Sequence, residues 1–292
     1  MANLNDSEFK SLEKYNSISI NDRRKLFLDE GYPSTPITPQ AYNSFTVFED
    51  FDRGSGSWTT GHMTNFVSVG STGVTLSDTN GAFQNDITGT LGNLSVNFDA
   101  NAATGSYMRY VLNRTNGRSK ACFINGYKAE YRFVLEADVP TRVVVIGWMS
   151  TLYNAANYDA DGSTQGYSGF LIKNRDIYFA NREINGSFLR KDLIGTLSTG
   201  QVYVLAVDTT NGQLVYSITN STTSTVEFSG VLNKWTGFSG AVINDMFGTA
   251  PSDPKHTLGL GLQVTLTGAN GATQLTRVFT IDSFFLTCPK IR

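Results

Sequence analysis

The sequence predicts an all-β protein, an antiparallel sandwich preceded by a short α-helical arm. Three observations carry that reading. Only 16% of the residues are charged and 12% are aromatic. Thr, Val, Tyr and Phe favour pleated, half-buried surfaces, while Gly and Asn supply the positive-φ positions of tight turns. From about Ser44 onward, apolar residues alternate or run in short unbroken stretches, the two patterns of strands. Asn-Gly pairs punctuate those stretches at Asn80-Gly81, Asn116-Gly117, Asn125-Gly126, Asn185-Gly186, Asn211-Gly212 and Asn270-Gly271, and Asn-Gly is a preferred hairpin centre.

Taken in order, residues 1–31 carry the helical signals. Asn5 or Asp6 caps a short helix with Phe9 and Leu12 on one face and Glu8 in its first turn. Asn21 or Asp22 caps a second, running through Leu26, Phe27 and Leu28 to Gly31. Helices this short are marginal alone in water, so the pair must pack against another body. Residues 1–31 are therefore read as an attachment arm. Residues 32–44 follow as a stiff spacer carrying Pro33, Pro36 and Pro39. Residues 45–292 form the sandwich. Within it, Tyr127 to Leu135 and Leu275 to Phe285 alternate. Val143 to Ile146 and Val202 to Val207 are continuous apolar runs, the pattern of strands covered on both faces. Hairpins are expected at Asn211-Gly212 and at Asn270-Gly271.

Charge and termini limit the function classes. With 23 Lys+Arg against 25 Asp+Glu the net charge is −2, which gives no basic excess for nucleic acid and no polybasic handle for a membrane. The start, Met1-Ala2-Asn3-Leu4, has no basic or apolar signal region, so synthesis in a cytoplasm is expected. The longest apolar stretch, Val143 to Met149, is too short to span a bilayer. Cys122 and Cys288 lack metal or redox spacing and read as buried thiols, with a disulfide formed outside the cell as the alternative.

The run Thr46-Val47-Phe48-Glu49-Asp50-Phe51-Asp52, followed by Gly54, Gly56 and Trp58, resembles the opening strand of concanavalin-like jelly rolls, among them laminin-G-like and glucanase-like modules. Phe279-Thr280-Ile281-Asp282-Ser283-Phe284 resembles their closing strand. The likeness covers roughly residues 45–287 and implies a jelly roll whose last strand pairs beside its first. The leader, with two capped short helices and the ending Leu28-Asp29-Glu30-Gly31, is similar to N-terminal segments of tailed-bacteriophage structural proteins. That likeness implies a virion component of fibre, spike or decoration type.

Glucan-cleaving members of the concanavalin-like group resemble one another in a Glu-x-Asp-x-x-Glu strand, whose alternate carboxylates serve as nucleophile and acid/base. The match here, Glu136-Ala137-Asp138-Val139-Pro140-Thr141, lacks the last carboxylate and is interrupted by Pro140. No catalytic residue is assigned. His62 and His256 lie in loop-like stretches without zinc spacing. Asn157, Asp159 and Asp161, followed by Gly162, reproduce the first half of a calcium loop. Ser168 stands where the bidentate glutamate belongs, and the same run suits an ordinary loop with Asx turns. No other cofactor is implied. The segment around it gathers Tyr153, Asn154, Tyr158, Gln165 and Tyr167, rings and amides of the kind that grip sugar faces and hydroxyls; a packed loop or a subunit contact is the alternative. Arg175, Arg182, Arg190 and Lys191 interleave with Asp176, Glu183 and Asp192 and read as a solvated face. Trp58, Trp148 and Trp235 read as core or interface anchors.

These readings converge on a non-enzymatic virion protein without membrane insertion. Its arm contacts other virion proteins, and its sandwich contacts neighbours or a host-surface glycan. A homo-oligomer is expected, a trimer if the protein is a fibre. The competing readings are a polysaccharide-degrading enzyme and a free carbohydrate-binding lectin.

Overall fold

The computed structural model describes residues 44–49, 66–70, 74–78, 94–98, 102, 104–112, 126–136, 142–150, 167–182, 188–209, 213–233, 258–267 and 276–289. The arm residues Phe9, Leu12, Leu26, Phe27 and Leu28 and the proline spacer lie outside them. Every described element is a strand: β1 Ser44–Glu49, β2 Phe66–Gly70, β3 Val74–Asp78, β4 Leu94–Phe98, β5 Tyr107–Leu112, β6 Lys128–Val134, β7 Arg142–Ser150, β8 Tyr167–Lys173, β9 Asp176–Arg182, β10 Phe188–Thr196, β11 Val202–Asp208, β12 Leu214–Asn220, β13 Thr225–Leu232, β14 Leu258–Leu266 and β15 Thr276–Pro289.

The strands form two antiparallel sheets. One has the order β13-β12-β11-β6-β15-β4-β3, with β1 also on β15; the other has the order β10-β9-β8-β7-β14-β5-β2. This is a concanavalin-like jelly-roll sandwich. The first strand does pair beside the last, Ser44 opposite Pro289 through Glu49 opposite Phe284.

The core follows the alternation in the sequence. Tyr127, Ala129, Tyr131, Phe133 and Leu135 enter it from one sheet, and Val144, Ile146, Trp148, Phe170, Ile172 and Phe179 from the other. Trp148 is fully enclosed and meets Tyr127 edge-on, ring centroids 5.4 Å apart. Phe133 stacks on Phe279 at 5.3 Å. The residues of β7 and β8 that point the other way, Val143, Val145, Met149, Tyr167 and Leu171, form a second buried cluster with Ala180. The run from Val143 is thus buried on both faces, as its sequence predicts.

The run from Val202 is not. Tyr203, Leu205 and Val207 are buried, while Val202, Val204 and Ala206 are only partly so. This strand is third from the end of its sheet, between β12 and β6, and its outward small apolar side chains sit half-exposed at little cost. The expected hairpin at Asn270-Gly271 is also corrected, because β14 and β15 belong to different sheets. Asn270-Gly271 lies outside the described residues, on a connection that carries the chain from one sheet to the other. By contrast, β11 and β12 are antiparallel neighbours across Asn211-Gly212.

Burial pushes the phenols of Tyr127, Tyr131, Tyr203 and Tyr216 above the ordinary tyrosine range. At Tyr131 the neighbouring Tyr127 phenol adds to the effect. The unfolded chain therefore loses these protons first, at pH about 10, while the folded chain still holds them. Stability from these groups is complete below that pH and falls as pH rises past it. Urea denaturation at pH 8, 10 and 11 is expected to show a falling midpoint above pH 10; an unchanged midpoint contradicts the burial of these phenols.

Candidate functional site

The two ends of the sandwich are built differently. At one end the described connections are short and bonded to one another. Asn174, in a left-handed conformation (φ 58°), turns β8 into β9. There the Leu197 amide donates to the Arg175 carbonyl at 2.9 Å, the Gly200 amide to the Leu135 carbonyl at 2.9 Å, and the Gly105 amide to the Leu266 carbonyl at 2.7 Å. Arg142, fully buried, reaches across with Nη1 donating to the Val278 carbonyl at 2.8 Å and Nη2 to the Asn174 carbonyl at 3.2 Å.

The other end carries the long connections. Met149 faces Tyr167, Tyr167 faces Arg182 and Arg182 faces Phe188. On the other side Ser150 faces Leu258, and Leu260 faces Leu112. Residues 113–125, 151–166, 183–187 and 234–257 therefore all leave or enter the seven-stranded sheet at this one end. Loops held by a rigid scaffold are where binding residues concentrate, and the antiparallel register gathers these.

Of the predicted ligand residues, Tyr153, Asn154, Tyr158 and Gln165 lie outside the described residues, as do Asn157, Asp159 and Asp161. The strands fix where their segment departs and returns, at Ser150 and Tyr167. Tyr167 itself is fully buried within the outer-face cluster, so its ring takes part in packing and is not open to solvent. Ser168, the twelfth position of the calcium-like run, is buried in β8, and its hydroxyl donates to Asn181 Oδ1 at 2.9 Å.

The basic stretch departs from the solvated face expected of it. Arg175 is exposed, but Arg182 is fully buried at the loop-bearing end, in register with Tyr167. Arg190 pairs with Asp192 and lies 5.5 Å from the Phe179 ring centroid, and Lys191 lies 5.1 Å from that of Tyr178. Alternation on β9 puts residues 178, 180 and 182 on the outer face that Tyr167 and Leu171 also share. Because that face is buried in this fold, arginine at its end is drawn in with it. Interleaved charges in the sequence carry no trace of that.

Glu136 follows β6 at the short-connection end, where its Oε1 accepts from Thr280 Oγ1 at 2.8 Å. Among the described residues no three His, Cys, Asp or Glu side chains gather as a metal cluster. Asp138, His62, His256, Trp58, Trp235 and Cys122 lie outside them.

The sequence matches no family model, and no curated protein matches it. Its fold is shared with solved structures at low identity. A protein of unknown function from Shewanella oneidensis is 16% identical over 94% of this chain and 95% of its own, with a TM-score of 0.60. The acidic lectin of winged bean, solved in complex with methyl-α-D-galactose, is 11% identical over 85% of this chain and all of its own, with a TM-score of 0.51.

Proposed function

We propose that this chain is a non-enzymatic presenting protein whose sandwich offers its loop-bearing end to a glycan or a neighbouring subunit. Residues 1–31 anchor it to a larger assembly, and the leader points to a virion. The observation that carries the binding part is the asymmetry of the ends: among the described residues short, mutually bonded connections on one side, and on the other the long connections 113–125, 151–166 and 234–257. Residues 151–166, the densest sequence of tyrosine, amide and carboxylate groups, join two strands there. The shared fold with a galactoside-bound lectin supports the ligand class. Calcium held by Asn157, Asp159 and Asp161 would order that loop and supply no reaction.

A glycan array probed with the full chain is expected to return a defined set of sugars. Replacing Tyr153, Tyr158 and Gln165 together with alanine then weakens the best hit at least about tenfold, as expected when anchoring aromatic and amide contacts go. Deletion of residues 1–40 leaves sugar binding unchanged, because arm and sandwich have separate tasks. An empty array counts against the glycan, and release of new reducing ends from a polysaccharide favours the enzyme.

A further inference from the structure

We propose that the ligand of the loop-bearing end is an acidic glycan, whose carboxylate or phosphate groups are read by Arg114, Arg118 and Lys120 on the connection 113–125. The inference rests on the glycan part of the reading above and names the kind of sugar.

Strand register places this connection beside 151–166. It leaves β5 after Leu112 and ends just before Tyr127 and β6, so it carries the chain from the seven-stranded to the eight-stranded sheet. Both of its roots flank Trp148. Leu112 faces Leu260, and Leu260 faces Trp148 on its other side, a span of two strand spacings or about 10 Å. At the other root the Tyr127 ring lies 5.4 Å from that of Trp148. Trp148 is on β7, close to Ser150, where 151–166 departs. The two connections are rooted at one place.

Their chemistry is complementary. The segment 151–166 supplies rings and amides, the groups that hold sugar faces and hydroxyls. The segment 113–125 reads NRTNGRSKACFIN, with three cations and no Asp or Glu. Elsewhere the cations stand against acids. Lys128 meets Asp208 at 2.9 Å, Arg132 meets Asp282 at 3.3 Å, and Arg190 pairs with Asp192. In the sequence Arg175 precedes Asp176 and Arg182 precedes Glu183. Over the whole chain acids outnumber bases, 25 to 23, so the run at 114–120 departs from the chain's own habit.

A neutral sugar offers such a run only hydroxyls. A carboxylate or phosphate gives each guanidinium a bidentate, charge-assisted partner. Asp159, Asp161 and Glu183 lie on neighbouring connections of the same end and oppose a dense polyanion such as nucleic acid. The ligand that fits carries its acid groups spaced apart, on a sugar chain.

Calorimetric titration of the full chain with hexuronic-acid, phosphorylated and neutral oligosaccharides tests this, and the acidic set that binds tells carboxylate from phosphate. The better acidic set is expected to bind at least about tenfold more tightly than the neutral one. Its affinity falls as NaCl rises from about 50 to about 300 mM, because the screening length shrinks. The triple variant Arg114→Gln/Arg118→Gln/Lys120→Gln loses at least ~10-fold in affinity for it, and with that most of the salt dependence. Lys173→Gln, exposed at the short-connection end, changes neither. Neutral sugars that bind as tightly as acidic ones, acidic binding indifferent to salt, or a triple variant that binds as the wild type does overturns the proposal and leaves the glycan reading standing. DNA bound as tightly as the acidic glycan overturns it as well. If no set binds, the glycan reading fails and takes this inference with it.

Discussion

Gly147→Ala is expected to destabilise the protein by roughly 3–5 kcal/mol, from backbone strain and overpacking together. Gly147 has a φ of 145°, where side chains are strained, and faces Gly169 across the β7–β8 pair. A Cβ there would lie 2.5 Å from the Ser168 carbonyl oxygen and 2.8 Å from the Gly169 Cα. Both are backbone atoms in the middle of a sheet and cannot swing aside. Gly105 provides the control. Its φ is 88°, yet a Cβ there meets nothing within 4 Å, so Gly105→Ala costs only about 1 kcal/mol of local strain. Urea denaturation of the two variants separates the contributions. Similar losses in both would mean that the close approach of β7 to β8 is not as described.

Asp282→Ala is the second large effect, at about 3 kcal/mol. Asp282 stands at the irregularity in β15 between Ile281 and Ser283, and its Oδ2 lies 3.3 Å from Arg132 Nη1 on β6. Both side chains are buried, at 0 and 5% exposure. Removing the anion leaves a guanidinium held away from water without that counter-charge, and the cost exceeds what the intact pair contributes. The double variant Arg132→Met/Asp282→Leu therefore regains most of the loss. If the double variant is as unstable as the single one, the pair itself is the source of stability and desolvation is not.

The sequence was most legible where one periodicity governed a strand. Tyr127 to Leu135 alternates in the sequence and enters the core at each alternate residue. The alternation expected from Leu275 to Phe285 does not hold throughout: Ile281 and Phe284 are three apart, and the structure places a shift in register between Ile281 and Ser283. The two-faced burial from Val143 was readable because no polar residue interrupts it. The same pattern misled at Val202, since a continuous apolar run does not say how much cover its sheet receives. Asn270-Gly271 misled for a related reason: turn chemistry reports a reversal, and only long-range register reports which strand comes next.

The candidate site was legible as composition and not as place. Nothing local in Tyr153, Asn154 or Gln165 says that 113–125 and 234–257 arrive at the same end, because that follows from pairings between residues far apart, such as Leu260 with Leu112. Tyr167 was grouped with the ligand residues by nearness in sequence, yet it is the first residue of β8, and the strand's pleat turns it onto the buried outer face of the sheet.

The most direct measurement is to locate a bound sugar. Crystals of the full chain soaked in the best array hit should show its density at the loop-bearing end, against residues 151–166 and above the Met149, Tyr167 and Arg182 row. Density at the end closed by Arg142 and the short connections, or along the β13 edge, would contradict the assignment of function to the long connections.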